Sequence, residues 1–211
     1  MRFRNRSEAG QLLARALEQY KNRPDVLVLA LPRGGVPVGY QVAKALNAPL
    51  DVFIVRKLGV PGHEELAMGA IATGGVRVLS EPVIEQLNIP PPVIDRVARR
   101  EEEEIRRREY LYRGNNPPPN IQDKIVILVD DGLATGSTMK AAISALRRQN
   151  PKKIVVAVPT APADTCEDLK READEVICAA TPEPFYAVGL WYEDFAQTTD
   201  DEVKELIRRA A

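Results

Sequence analysis

Short apolar segments recur along the chain, and most of them end in turn-forming residues. Nearly continuous Val, Ile and Leu over five or six residues is typical of strands buried on both faces, as in parallel sheets. We therefore predict a mainly parallel central sheet. The predicted strands are Val26–Leu31, Val52–Val55, Ile125–Val129, Ile154–Val158 and a weaker one at Glu175–Cys178.

Helical patterns lie between some of these strands. Strand–helix alternation predicts an α/β fold with helices flanking the sheet. The first helix has Asn5 or Ser7 as its candidate N-cap. Three apolar stripes define the helices: Leu12, Leu13, Ala16, Leu17 and Tyr20; Val38, Val42, Ala45 and Leu46; and Met139, Ala142, Ile143 and Leu146, which Pro151 ends.

Two segments interrupt the alternation. Gly59–Gly75 contains five glycines and little periodicity, so we predict a flexible loop, which could include a short hairpin. Val93–Tyr112 is heavily charged and is predicted to be a solvated helix with favourable i,i+4 pairs. The expected pairs are Glu102–Arg106, Glu103–Arg107 and Glu104–Arg108.

Length and composition indicate one globular domain over residues 1–211, with 45% apolar and 28% charged residues. We divide it into a core at 22–80 and 121–180, a helical insertion at 81–120 and a small C-terminal hood at 181–211. The net charge of −1 gives no global field for binding nucleic acid. No segment is apolar enough to cross a bilayer, and the polar N-terminus lacks the apolar run of a signal peptide.

The two cysteines, Cys166 and Cys178, belong to no CxxC or Cys/His cluster. We therefore expect neither a disulfide scaffold nor a structural zinc site, and we predict a cytoplasmic protein.

The segment Ile125–Met139, with the sequence IVILVDDGLATGSTM, contains the most informative chemistry. A buried strand ends in Asp130 and Asp131, and a turn rich in Gly, Thr and Ser leads into a helix. Unpaired N–H groups at a helix start favour an anion, so this turn is a candidate phosphate site. The carboxylates would instead accept hydrogen bonds from a sugar diol and hold Mg²⁺, directly or through water. The candidate phosphate-binding residues are Ala134, Thr135, Gly136, Ser137 and Thr138.

Competing motifs fit this segment poorly. A P-loop requires GxxxxGK[ST], but Gly132 and Gly136 are too close together and no lysine follows. The GxGxxG of a dinucleotide-binding turn is absent. A receiver domain also uses an acidic pair, but its phosphate-accepting Asp would lie on another strand.

The sequence VDDGLATGST resembles the phosphoribosyl pyrophosphate (PRPP) motif of type I phosphoribosyltransferases. The resemblance implies that Asp130 and Asp131 contact the ribose hydroxyls and that Ala134–Thr138 bind the 5-phosphate. Gly132 stands where that family often has an aliphatic residue.

A second candidate anion loop follows the first strand and consists of Pro32, Arg33, Gly34 and Gly35. Backbone amides together with a guanidinium suit a pyrophosphate group. The segment resembles the family's pyrophosphate loop, which often contains a cis non-proline peptide. We therefore predict a cis bond between Pro32 and Arg33.

Arg56 and Lys57 end the second predicted strand, and His63 and Glu64 follow within the glycine-rich segment. The arrangement is similar to orotate phosphoribosyltransferase, whose corresponding strand also ends in Arg-Lys before a flexible catalytic loop. It implies that Lys57 or Arg56 neutralises the departing pyrophosphate and that loop closure excludes water. That enzyme has a further lysine within its loop, and Gly59–Gly75 has none, so orotate is disfavoured.

Aromatic residues concentrate near the C-terminus of a chain that is only 5% aromatic. Planar side chains beside a sugar-phosphate site favour stacking on a flat base. The segment is similar to purine phosphoribosyltransferases, in which an aromatic residue here stacks on the purine. Glu193 and Asp194 are out of register with the acidic residue expected to read the base edge. The candidate base-binding residues are Phe185, Tyr186 and Trp191.

The resemblance implies transfer of a phosphoribosyl group between PRPP and a nucleobase, with Mg²⁺ as cofactor and a homodimer as the assembly. Two alternatives remain open: a non-catalytic PRPP-sensing regulator of the same fold, and a PRPP-dependent enzyme with a non-base acceptor. Turnover with a panel of bases would distinguish them.

Overall fold

The computed structural model describes residues 2–210, with elements numbered here in chain order. Five parallel strands form the central sheet in the order β2-β1-β6-β7-β8. Sequence patterns predicted this sheet, and the apolar run 125–129 was predicted with the bounds that the strand has. The strands are β1 Val26–Ala30, β2 Leu50–Val52, β6 Ile125–Val129, β7 Lys153–Thr160 and β8 Glu175–Ala180.

Helices cover both faces of the sheet. Alternate residues of β1 point to opposite faces: Val26, Val28 and Ala30 face the core that includes the first two helices, while Leu27 and Leu29 face the core on the other side. Asn5, rather than Ser7, caps the first helix by accepting from Glu8 N at 3.0 Å. The helices are α1 Arg6–Ala16, α2 Gly35–Leu46, α3 Glu81–Gln86, α4 Pro91–Arg113, α5 Ser137–Arg147, α6 Ala163–Leu169 and α7 Asp200–Ala210.

A second, antiparallel sheet occupies most of the segment that was predicted to be a flexible loop. It contains β3 Val55–Val60, β4 His63–Ala72 and β5 Val76–Leu79. The predicted strand 52–55 is therefore split between two sheets. The hairpin that the sequence allowed is present, and Leu58, Met68 and Ile71 are buried in the core. The expectation of an irregular loop is corrected, because most of the glycine-rich segment forms strands that these apolar contacts hold in the core.

The charged helix α4 is not solvated on all sides. Ile94, Val97, Ala98 and Ile105 form a buried stripe, and Glu101 is buried with them. On the exposed side, Glu102–Arg106 and Glu104–Arg108 pair as predicted, at 2.6 and 2.7 Å. The predicted Glu103–Arg107 pair is replaced by Arg107 donating to Glu104 at 2.8 Å.

The N-terminal segment pairs with the segment that follows β8. The Phe3 N–H donates to the Trp191 carbonyl oxygen at 2.9 Å, and the Glu193 N–H donates to the Phe3 carbonyl oxygen at 2.8 Å. These bonds join the N-terminal segment to the 3₁₀-helix Val188–Trp191. Helix α7 then packs against α2 and α4. The predicted hood, 181–211, therefore includes a helix that packs elsewhere, and from here on the name hood means residues 181–199 together with the N-terminal segment 2–5 that pairs with them.

The two cysteines pair with each other, which the sequence reasoning did not expect. Cys166 in α6 and Cys178 in β8 form a disulfide, because the crossover from α6 returns the chain to the edge of the sheet beside that helix. Their spacing matches no recognised motif, so nothing in the local sequence predicts the pairing. In the part of the chain that the structure describes, no helix is both long and apolar enough to cross a membrane.

Candidate active site

The two predicted anion loops meet at the carboxyl end of the central sheet. Strands β1 and β6 pair in register, with Ala30 opposite Val129, so the loops that follow them start side by side. From β1 the chain next forms the edge strand β2, whereas from β6 it continues to β7 and β8 on the other side. Such a reversal opens a crevice at the strand ends, where ligands of α/β sheets usually bind.

The acid pair occupies the centre of this crevice. The Asp131 N–H donates to Asp130 Oδ1 at 2.8 Å, and Arg6 Nε donates to Asp131 Oδ2 at 2.8 Å. The Tyr192 hydroxyl donates to the Asp131 carbonyl oxygen at 2.5 Å. Helix α1 and the hood therefore both reach the second acid of the pair, which is only 14% exposed in its side chain.

Burial and mutual repulsion dominate the electrostatics of the pair. Burial raises the pKa of Asp130 well above its usual range, and the neighbouring Asp131 charge adds to this effect. Burial also raises the pKa of Asp131, although the hydrogen bond and charge of Arg6 oppose that rise. Burial, followed by the charge of Asp131, raises the pKa of Tyr192 and so keeps its hydroxyl a donor. A ligand that presents hydroxyl donors or a cation would stabilise the ionised forms of these two acids.

The first candidate anion loop, Ala134–Thr138, is an open turn at the start of α5, and we call it the phosphate loop after its predicted ligand. Gly136 adopts a left-handed conformation with φ of +70°, and Ser137 begins the helix. The side chains of Thr135, Ser137 and Thr138 are exposed to solvent. Thr165 Oγ1, in helix α6, donates to the Ala134 carbonyl oxygen at 2.8 Å. The amides and hydroxyls of this turn are thus accessible to an anion, while α6 supports its backbone.

The second candidate anion loop, Pro32–Gly35, lies directly against the acid pair, and we call it the pyrophosphate loop after its predicted ligand. A Cβ added to Gly34 would lie 2.1 Å from Asp131 Oδ2, and one added to Gly35 would lie 2.8 Å from the Val129 carbonyl oxygen. Only glycine permits this approach. The peptide between Pro32 and Arg33 is cis, as predicted. Arg33 Nη1 lies 3.8 Å from Oδ1 of Asp200, the first residue of α7.

The side chains of Arg56 and Lys57, the two cations of β3, point to opposite faces of the strand. Lys57 Nζ donates to Ser137 Oγ at 2.6 Å, which places it on the phosphate loop. Arg56 points the other way and bonds to Glu101 of α4 at 2.8 Å. His63 and Glu64 lie exposed near the tip of the β3–β4 hairpin, where Glu64 accepts from Gly62 N at 3.3 Å. Lys57 is therefore brought into the crevice, whereas Arg56 is directed to α4.

The aromatic candidates lie in the hood. Phe185 stacks on Trp191 with ring centroids 6.2 Å apart, while Tyr186 is 78% exposed. The hood adjoins the motif, because a Cβ on Gly132 would lie 2.5 Å from Val188 Cγ1. This contact gives a reason for glycine at the position where the resembling family often has an aliphatic residue.

Arg6 and Asp200 at the crevice escaped the sequence reasoning, and Tyr192 and Phe195 were noted only as part of the aromatic concentration near the C-terminus. None of them belongs to a motif, and each reaches the site from an end of the chain. For Tyr192 and Phe195, the aromatic concentration near the C-terminus was the available signal. For Arg6 and Asp200, the sequence offers no local signal. Arg6 is separated from its partner Asp131 by 125 residues, and the partner of Asp200 is Arg33 in the loop after β1.

The donor set suits Mg²⁺ held mainly by a substrate. Within residues 2–210, no group of three or more His, Cys, Asp or Glu side chains converges as a metal site. Asp130 and Asp131 supply adjacent carboxylates, and Mg²⁺ is commonly bound by one or two carboxylates plus water and substrate phosphates. The two carboxylates therefore fit the predicted Mg²⁺ when a bound phosphate ester supplies further ligands to it.

The parallel sheet, the acid pair at its switch point and the two glycine-containing loops form a crevice of the kind in which α/β proteins bind phosphorylated ligands. The sequence model of the phosphoribosyl transferase domain matches residues 62–183. The chain belongs to the phosphoribosyl transferase family. It is 46% identical over 208 residues to Rv0571c of Mycobacterium tuberculosis (strain ATCC 25618 / H37Rv), provisionally named a phosphoribosyl transferase.

That alignment covers 99% of this chain but 47% of Rv0571c, and the same holds for MT0597 of strain CDC 1551 / Oshkosh. The chain thus spans about half the length of these curated relatives. The crystal structure of TT1426 from Thermus thermophilus is similar over 100% of both chains, with a TM-score of 0.89 and 41% identity. This likeness covers the central sheet, the hood and the antiparallel sheet β3–β5 alike.

Proposed function

We propose that the chain is a Mg²⁺-dependent phosphoribosyltransferase that transfers the 5-phosphoribosyl group between PRPP and a nucleobase. Pyrophosphate is released in one direction and taken up in the other. The observation on which the proposal rests is the contact between the Pro32–Gly35 loop and Asp131, which leaves no room for a Cβ on Gly34. A diol-binding acid and an anion loop in direct contact suit a ligand with pyrophosphate on the ribose ring.

Each part of PRPP has a matching feature. The amides of Ala134–Thr138 and the Lys57 ammonium would hold the 5-phosphate, and Asp130 and Asp131 would accept from the ribose hydroxyls. Arg33 and the amides of Gly34 and Gly35 would receive the pyrophosphate. Asp130 and Asp131, together with oxygens of the substrate, would hold Mg²⁺, whose positive charge would stabilise the leaving pyrophosphate. The protein would therefore act by positioning the reactants and stabilising negative charge on the leaving group.

A purine is the acceptor that we favour over orotate. The hood adjoins the motif at Gly132 and carries the stacked pair Phe185 and Trp191, which suits a flat ring. The segment 59–75 has no lysine, unlike the flexible loop of the orotate enzymes that it resembles. Homodimerisation and a cytoplasmic location stay predictions.

The proposal is tested by binding and turnover with the same protein. Titration calorimetry with PRPP and Mg²⁺ should detect saturable binding. Pyrophosphate release should then appear with at least one member of a panel of adenine, guanine, hypoxanthine, uracil and orotate. No binding of PRPP would refute the proposal. Binding without release for every acceptor would instead indicate the PRPP-sensing regulator.

The acid pair provides a matched test of mechanism. Replacing Asp130 and Asp131 together by Asn should lower turnover by about a hundredfold or more, while the circular dichroism spectrum stays unchanged. Asp123→Asn is the control, because Asp123 is exposed at the opposite end of β6. Normal turnover in the double variant would remove the acids from the reaction.

A further inference from the structure

Arg6, the first residue of α1, joins three parts of the site. Its Nε donates to Asp131 Oδ2 at 2.8 Å, and its Nη1 donates to the Ala196 carbonyl oxygen at 2.6 Å. Its guanidinium carbon lies 4.0 Å from the centroid of the Phe195 ring. The side chain is only 12% exposed. One guanidinium thus connects the N-terminal helix, the acid pair and the hood.

The bond to Arg6 fixes the Asp131 carboxylate without saturating it. A carboxylate has two oxygens, each able to accept more than one hydrogen bond, and Arg6 uses one position on Oδ2. The same oxygen lies against Gly34, where an added Cβ would be 2.1 Å from Oδ2 and 3.4 Å from Arg6 Nε. The carboxylate is therefore held between a guanidinium and the backbone of the pyrophosphate loop, with capacity left for a sugar hydroxyl.

The contacts of Arg6 require the shape of a guanidinium as well as its charge. A planar, delocalised cation can donate along its edge while its face stacks on an aromatic ring. Lysine would retain the charge but would lose the forked donors and the planar stack on Phe195. The hood itself is tied to the same acid, because Tyr192, whose ring centroid lies 5.0 Å from that of Phe195, donates to the Asp131 carbonyl oxygen.

We propose that Arg6 is a positioning residue that holds Asp131 in the orientation needed by the ribose diol, and that it makes this orientation depend on the seating of the hood. The inference rests on the proposed binding of PRPP. It assigns to α1 and the hood a role in ribose recognition, in addition to any role in base recognition.

The test compares ligands that share different parts of PRPP. Arg6→Gln should weaken binding of PRPP and of ribose 5-phosphate by about tenfold or more, as expected for loss of a charge-assisted hydrogen bond. Binding of inorganic pyrophosphate should change by less than about twofold, because that ligand would contact the Arg33 loop and not the diol site. Arg6→Lys should fall between the wild type and Arg6→Gln. Arg15→Gln, an exposed position of the same helix, is the control for loss of charge.

A double-mutant cycle shows whether Arg6 acts through Asp131. In an Asp131→Asn background, Arg6→Gln should change PRPP binding by less than about twofold, since coupled residues are not additive. In steady-state assays the KM for PRPP should rise more than kcat falls. Equal effects in both backgrounds, or unchanged or tighter binding of PRPP by Arg6→Gln, would overturn the inference.

The outcomes separate this inference from the proposed function. A wild-type protein that binds no PRPP refutes both, whereas equal binding of PRPP by the wild type and by Arg6→Gln refutes only the role of Arg6. Weaker binding of all three ligands, pyrophosphate included, would indicate a general structural role and also overturn it. If Arg6→Gln does not fold, Arg6→Lys and Phe195→Leu supply the same comparison of ligands.

Discussion

Neighbouring residues of β3 have different tasks because consecutive side chains of a strand point to opposite faces. Arg56 and Lys57 are equivalent cations in the sequence, and both were candidates for neutralising pyrophosphate. In the fold, Arg56 contacts buried Glu101, and Lys57 contacts Ser137 of the phosphate loop. The strand, and not the residue type, therefore suggests which cation is available to a ligand.

Lys57→Ala should weaken PRPP binding by about tenfold, with a smaller change in kcat. A contact with the 5-phosphate is the same in the ground state and the transition state, so its loss affects binding more than the chemical step. Titration calorimetry and initial rates measure the two effects, with exposed Lys44→Ala as the control. A large fall in kcat at constant KM would instead return Lys57 to the leaving pyrophosphate.

Arg56→Ala should lower the free energy of unfolding by about 1–3 kcal/mol, because it removes a partner from a buried carboxylate. The Glu101 side chain is 8% exposed, and exposed Arg100 remains as its second partner. Urea denaturation measures the loss, and adding Glu101→Gln should recover part of it. An unchanged unfolding midpoint would show that the Arg56–Glu101 pair contributes little.

At the scale of elements, a buried tyrosine links α4 to α7. The Tyr112 hydroxyl donates to Asp200 Oδ1 at 2.6 Å, and Asp200 is the first residue of α7. Burial, and then the hydrogen bond to Asp200, raise the pKa of Tyr112 from 10.0 to about 12. A raised pKa means that the unfolded chain loses this proton more easily than the folded one. The stability that the protonated Tyr112 hydroxyl contributes to the fold is therefore complete below pH 10 and is lost as the pH rises towards 12.

Tyr112→Phe should make stability less dependent on pH between 10 and 12. The comparison with the wild type matters, because other tyrosines and lysines titrate in the same range. Urea midpoints at pH 8, 10 and 11.5 give the measurement. Parallel curves for the two proteins would show that Tyr112 titrates alike in the folded and unfolded states.

The central strands could be predicted because burial on both faces leaves a continuous apolar run, as in Ile125–Val129. Strand β4 has no such signature. Its first four residues are exposed and its last three are buried, so neither alternation nor a continuous run persists along it. Partner strands and the packing of α4 and α5 determine its structure. Information of that kind is absent from a local pattern.

At the scale of the whole molecule, the site combines contiguous motifs with residues from both ends of the chain. The motif loops could be predicted because their glycines, hydroxyls and acids are adjacent in sequence. The partners of those loops, such as Arg6 with Asp131 and Asp200 with Arg33, are defined only after the chain has folded. Sequence reasoning therefore identified the candidate ligand-binding groups but missed the groups that orient them.

The disulfide belongs to the same scale, because it joins a helix to the edge of the sheet. Cys166 follows Thr165, whose hydroxyl supports Ala134 of the phosphate loop, and Cys178 lies in β8. The closed loop has a sequence separation of 12 residues. A cross-link of about this length stabilises a fold by about 3 kcal/mol in the chain-entropy model.

Replacing both cysteines by Ser should therefore lower the free energy of unfolding by about 3 kcal/mol relative to the oxidised protein. A reducing agent should produce a similar loss in the wild type and none in the variant, which separates the cross-link from the effect of new side chains. Urea denaturation with and without reductant measures both effects. A thiol assay of the unfolded, unreduced protein should find no free thiols. Two free thiols per chain would show that the bond does not form, and stability would then be independent of reductant.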